Sequence, residues 1–175
     1  MTFPPNDIIS IVDEIAEILR SRNQTLAISE AACGGLISAY IVSVPGASDF
    51  YIGGKLTYSL RQRLKNSGWS DFEISKYVGP SEQVALKLAR TTKYEFGSNY
   101  VLSETGFAGP SSNLHLREEN EEKNNLEDVG NVYIGLSGPN GDSSAHFKTD
   151  NHDRSYNMME FAKLALQFLL EKLKE

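Results

Sequence analysis

At 175 residues, with 40% hydrophobic and 23% charged content, the chain is long enough for one domain with a sizeable core and is not compositionally disordered. A net charge of -6 argues against a nucleic-acid partner, the best local basic cluster being Arg61, Arg63 and Lys65. The single cysteine excludes an internal disulfide, the histidines stand at no metal-motif spacing, and no run resembles a membrane span or signal peptide, so a cytoplasmic protein without metal or membrane partner is expected.

The first element follows Pro4 and Pro5. Ile8, Ile9, Ile11, Val12, Ile15, Ile18 and Leu19 fall on one broad helical face, with Asp13, Glu14 and Glu17 opposite and Asn23 as the stop. Leu26 to Ser29 is a short buried strand. It runs into the small-residue turn Glu30-Ala31-Ala32-Cys33-Gly34-Gly35, and a second helix extends from Gly34 to Val44, before Pro45. Backbone N–H groups at such a junction point outward and the helix dipole adds partial positive charge, which suits an anion such as phosphate. Close packing alone also accounts for paired glycines. After the turn Pro45-Gly46-Ala47-Ser48, a strand runs from Phe50 to Tyr58 with a bulge or close backbone approach at Gly53-Gly54. Ser59 to Asn66 and Asp71 to Tyr77 are short helices, and Ser81 caps a longer one that runs to Phe96, before Gly97.

Asn99 to Glu104 is the next strand and leads into a second glycine-bearing turn, Thr105-Gly106-Phe107-Ala108-Gly109-Pro110. The polar stretch from Ser111 to Asp128 has too little apolar content to fold alone and reads as a mobile surface loop or insert. Asn131 to Leu136 and Ser143 to Lys148 form a hairpin about Gly138-Pro139-Asn140-Gly141. From Asp153 to the end an amphipathic helix carries Phe161, Leu164, Ala165, Phe168 and Leu169 on one face. The order is mixed α/β, with helices covering both faces of a mixed sheet.

Several separated motifs line up over residues 8 to 172. They are Glu30 to Gly35, Pro45 to Ser48, Gly54-Lys55-Leu56-Thr57-Tyr58-Ser59, Pro80 to Ala85, Thr105 to Pro110, Val129 to Val132, and His152-Asp153-Arg154. Together they resemble the CinA C-terminal domain family, whose well-known members are nicotinamide-mononucleotide deamidases. The resemblance implies a single domain spanning residues 1 to 175, folded as a three-layer α/β/α sandwich similar to anticodon-binding domains. It also implies a small-molecule mononucleotide as ligand, a homodimer, and no cofactor. The implied reaction converts the carboxamide of nicotinamide mononucleotide to nicotinate mononucleotide and ammonia. That chemistry needs a nucleophile, a base and donors for the oxyanion.

By motif, Ser48 stands at the family's proposed nucleophile and Tyr58 at its active-site tyrosine. The plain alternatives are a turn serine capping Asp49-Phe50 and an ordinary strand aromatic. Thr105 and Gly106 belong to the intact second turn, as holders of ligand. Arg154 keeps the family arginine, suited to phosphate or to a salt bridge with Asp150 or Asp153. Ala31, Cys33, Gly34 and Gly35 occupy the phosphate-seating turn, but Ala31 replaces its serine and Cys33 its threonine, leaving backbone donors. Cys33 reads either as a displaced nucleophile or as a small buried residue.

Arg63 stands where the family has its presumed basic lysine. A guanidinium stays protonated and cannot act as a general base, though it binds carboxylate, phosphate or an oxyanion well. Two functions follow. One is a metal-independent amidohydrolase with weakened activity. The other is a catalytically inactive nucleotide-binding or structural relative.

Overall fold

A computed structural model of the chain describes residues 2–117 and 124–175. The elements are α1 (Asn6–Ser21), β1 (Leu26–Ser29), α2 (Leu36–Val42), β2 (Tyr51–Lys55), α3 (Leu60–Asn66), α4 (Asp71–Lys76), α5 (Glu82–Phe96), β3 (Tyr100–Gly106), β4 (Asn131–Gly138), β5 (Gly141–Lys148) and α6 (Arg154–Lys174). The strands form one five-stranded sheet in the order β2-β1-β3-β4-β5. β1 pairs in parallel with β2 and β3, whereas β4 runs antiparallel to both β3 and β5. The sheet is therefore mixed, as the order of elements predicts.

Both faces are covered, giving the three layers. Leu26 and Ile28 of β1, Leu102 of β3 and Ile134 of β4 join Ile15, Leu19, Ile37, Ile41, Phe161 and Leu169 of α1, α2 and α6 in the main core. The intervening residues Ala27 and Val101 turn the other way and meet Ala89 of α5. Alternate residues along a strand point to opposite faces, and β1 is buried on both, so its sequence shows no polar alternation. The α5 face is built from small residues because that helix lies very close to the sheet. A Cβ on Gly135 would stand 2.7 Å from the backbone carbonyl of Ala85. Beside it Ser103 Oγ donates to the same carbonyl at 2.5 Å.

Some boundaries differ from the sequence reading, each for a local reason. β2 ends at Lys55, so Leu56, Thr57 and Tyr58 leave the sheet. α2 starts at Leu36, because Gly34 (φ 65) and Gly35 (φ 98) are left-handed and cannot belong to the helix. The hairpin strands extend to Gly138 and from Gly141, tightening the turn to Pro139-Asn140. The flanks of the polar segment are anchored rather than loose. Ser112 is buried, donates from Oγ to Asn125 O and accepts from Asn125 N, while Leu114 and Leu116 pack on Leu64, Ile74 and Tyr77. Six residues of that segment, 118–123, lie outside the described ones. Among the described residues, no helix is long and apolar enough to cross a membrane.

Candidate functional site

Parallel pairing puts the C-terminal ends of β1, β2 and β3 on one side of the sheet. The chain leaves these ends through Glu30–Cys33, Leu56–Ser59 and Phe107–Gly109, and between them lies a cavity of about 280 Å³. Ligands of open α/β sheets characteristically bind beyond the carboxyl ends of the strands.

The cavity is cationic. Arg61, Arg63 and Arg154 all line it, and among the described residues no Asp or Glu does. Arg63 comes from α3 and reaches β3, donating from Nη2 to Thr105 Oγ1 at 3.3 Å. Its Nε is buried with no hydrogen-bond partner among the described residues, and it forms no ion pair with them. Burial pulls the Arg63 pKa down, with Tyr77, Glu104 and Tyr58 opposing. Arg154 is the first residue of α6, placed there because Asp153 caps the helix by accepting from Tyr156 N at 2.7 Å. Its Nη1 donates to Gly109 O at 2.6 Å and its Nη2 to the Tyr58 hydroxyl. Arg154 therefore forms neither of the salt bridges considered from sequence, with Asp150 or with Asp153.

Beneath the cavity, two carboxylates organise the first turn. Glu104 is fully buried, and its Oε2 accepts from Ala31 N at 3.0 Å and Cys33 N at 3.1 Å. Glu30 accepts from Gly35 N, Ile37 N and Ser38 N, and from Ser38 Oγ at 2.6 Å. Of the N–H groups expected to seat a phosphate, Gly35 N is thus taken by Glu30, and Gly34 N donates to the Ala31 carbonyl at 3.1 Å. Gly34 and Gly35 stand outside the cavity lining, and only Ala31 and Ala32 of that turn border it. Cys33 is fully buried in the main core, and burial together with Glu104 and Glu30 pushes its thiol well above the ordinary value. It is the small core residue, not an activated nucleophile.

Ser48 is not brought to the cavity. It is exposed on a short 3-10 turn, Ala47–Asp49, at the start of β2, whereas Tyr58 follows the other end of that strand. A strand carries the chain about 3.3 Å per residue, so β2 separates the two motifs by its whole length. Tyr58, Arg63, Thr105, Gly106 and Arg154 do come together, and Ala31 joins them.

Among the lining residues that the sequence reading did not assign to a site are Tyr77, Asn113 and His115. Tyr77 follows α4, and its hydroxyl is buried without a partner among the described residues. Burial pushes its pKa up to about 12, so it is a proton donor at neutral pH. Asn113 and His115 arrive on the segment after Pro110, which Arg61 and Arg117 tie down by donating to Leu116 O and to Ser75 O and Tyr77 O. No local pattern points to these residues, since only the packing of Leu114 and Leu116 directs the segment to this mouth.

The architecture is thus an α/β/α sandwich with an arginine-lined cavity at the carboxyl ends of its parallel strands. The chain belongs to the CinA C-terminal domain family, whose model matches residues 8–173. It is 32% identical over 165 residues to a CinA-like protein of Desulfosudis oleivorans, covering 94% of this chain and 38% of that protein. It is also 32% identical over 168 residues to a putative competence-damage inducible protein of Halothermothrix orenii, covering 96% of this chain and 38% of that one. The chain thus spans about two-fifths of the length of these curated relatives. Among solved structures, the competence/damage inducible protein CihA of Agrobacterium tumefaciens superposes with a TM-score of 0.82 at 23% identity, with 100% of both chains covered. A CinA superfamily protein of Enterobacter cloacae gives 0.80 at 18% identity, over 95% of this chain and 92% of that one. These likenesses carry the fold.

Proposed function

We propose that this cavity binds a pyridine mononucleotide, and that amide hydrolysis on nicotinamide mononucleotide is at most residual in this chain. The carrying observation is what the cavity holds and what it lacks. Arg61, Arg63 and Arg154 supply charge for an anionic ligand, and Ala31, Ala32, Phe107 and Ala108 supply apolar surface for a ring.

Hydrolysis adds water across the carboxamide C–N bond and releases ammonia. It needs a nucleophile, a proton acceptor and oxyanion donors. Donors are plentiful here. Acceptors are scarce: no lysine lines the cavity among the described residues, Arg63 holds its proton, and Ser48 lies beyond the far end of β2. A second reading keeps slow hydrolysis through water, and rests on His115, whose imidazole stands at the cavity wall.

Two measurements separate these readings. Calorimetry with nicotinamide mononucleotide is expected to give saturable binding, weakened about tenfold or more by Arg154→Gln. Ammonia release is expected not to exceed that of a Ser48→Ala variant. Turnover that depends on Ser48 overturns the proposal. Turnover independent of Ser48 but lost in His115→Gln establishes the second reading. If Arg63→Lys raises turnover, the arginine is the lesion in an otherwise competent site.

A further inference from the structure

The deep wall of the cavity carries two polar atoms that the protein leaves unmatched. Arg63 Nε and Tyr77 Oη are both buried, and neither finds a hydrogen-bond partner among the described residues. Both residues line the cavity, and they are near enough for each to influence the other's ionisation. Buried polar groups in native proteins are nearly always paired, so two orphans on one wall mark a place for a missing group.

Both orphans can donate: the guanidinium N–H only donates, and the phenolic hydroxyl donates as well as accepts, so a group with acceptor lone pairs alone satisfies both. The one bond Arg63 makes to described residues, to Thr105 Oγ1 at 3.3 Å, is long, so most of its fork is uncommitted. The buried acceptor nearby is Glu104 Oε1, but Glu104 is not among the residues that line the cavity.

Building on the proposed mononucleotide site, we infer that the cavity selects a pyridine nucleotide bearing a carboxylate over one bearing a carboxamide, with Arg63 and Tyr77 taking the carboxylate and Arg154 the phosphate. A carboxylate offers only acceptor lone pairs and satisfies both donors. A carboxamide offers one acceptor oxygen, and its NH₂ finds no acceptor in Arg63 and reaches one at Tyr77 only when that hydroxyl turns its own proton elsewhere. The charges agree. A pyridinium ring with a neutral amide brings a positive charge to a guanidinium, whereas the carboxylate form neutralises that charge on the ring itself. The division of labour follows from position. Arg63 bonds Thr105 near the end of β3, just before Phe107 and Ala108, whose apolar surface suits the ring. Arg154 sits at the opening with Tyr58, which is 62% exposed, where a hydrated phosphate keeps its water. On this arrangement, an arginine that cannot serve as a base serves as a recognition group for the reaction's acid product.

The experiment is calorimetry with nicotinate mononucleotide and nicotinamide mononucleotide at the same pH and salt. The acid form is expected to bind about tenfold or more tightly, as a charged pair replaces a mismatched neutral group. Arg63→Gln is expected to remove the preference while the amide form still binds. Tyr77→Phe should reduce the preference partway, and serves if the Arg63 variant does not fold. Arg154→Gln should weaken both ligands by the same factor. If the amide form binds as well as the acid form, or if the preference survives Arg63→Gln, the inference is overturned while the mononucleotide reading stands. If neither ligand binds, both fall.

Discussion

Glu104 stands where ionisation is costly. It is fully buried, one oxygen holds the first turn through two backbone N–H groups, and the other oxygen has no partner among the described residues. Burial dominates and raises its pKa, against the lowering effect of those N–H groups and of Arg63. The folded state therefore holds this proton at pH values where the unfolded chain has released it. Between the ordinary carboxylate value and the raised folded one, folding binds protons, so this group's contribution is fully present at low pH and is lost as pH rises. Glu104→Gln removes that slope. Urea denaturation of both proteins from about pH 4 to about pH 8 should show the native chain losing stability relative to the variant as pH rises. Parallel curves would count against a shifted Glu104. Glu104→Ala leaves two N–H groups unmet and should cost about 2–4 kcal/mol at any pH in that range.

The same residue shows why a site is harder to read than a fold. In the sequence Glu104 is only the acidic end of an apolar strand, and Glu30 only the first letter of a turn. Glu104 reaches that turn only because β1 and β3 are neighbours, which no local pattern states. The turn's N–H groups, expected to hold a bound anion, are met by oxygens of the protein itself.

At the scale of elements, periodicity was informative wherever an element packs on one side. α1, α5 and α6 follow their apolar faces, and Ser81 and Asp153 cap α5 and α6 as their residue types suggest. Chain direction is harder to read: motif alone joins Ser48 and Tyr58 in one site, and the extended β2 between them places them beyond its two ends. In the polar segment, composition averages over Leu114 and Leu116, the two residues that pack its first part against α3 and α4.

The seam between α5 and the sheet offers a test at this scale. Gly135 has ordinary strand conformation but no room: a Cβ would meet Ala85 backbone and Ser103 Oγ at 2.7 Å. Gly141 is the reverse, with φ +127 and nothing within 4 Å of the added carbon. Gly135→Ala must push α5 from the sheet and should cost about 3 kcal/mol, as overpacked cores do. Gly141→Ala meets only backbone strain and should cost about 1 kcal/mol. Equal losses in thermal or urea unfolding would mean that α5 is not held as closely as the coordinates place it.

The whole molecule sets a local charge against a global one. The chain carries a net charge of -6, while its cavity gathers three arginines. An anionic nucleotide is thus repelled at long range and attracted at the mouth. Which effect governs encounter depends on ionic strength, because the Debye length falls from about 30 Å at 0.01 M salt to about 8 Å at 0.15 M. At low salt the ligand feels the acidic surface well before it reaches the arginines. At physiological salt that distant charge is screened, while the contacts inside a partly enclosed cavity are screened far less. Raising salt across this range should therefore leave the association rate of nicotinate mononucleotide unchanged or slightly increased, and should mainly accelerate dissociation. Stopped-flow measurement of both rates checks this. A steep fall in association rate with salt, as seen for anions steered by a basic surface, would place the attracting charge over the whole face and not within the cavity formed by Arg61, Arg63 and Arg154.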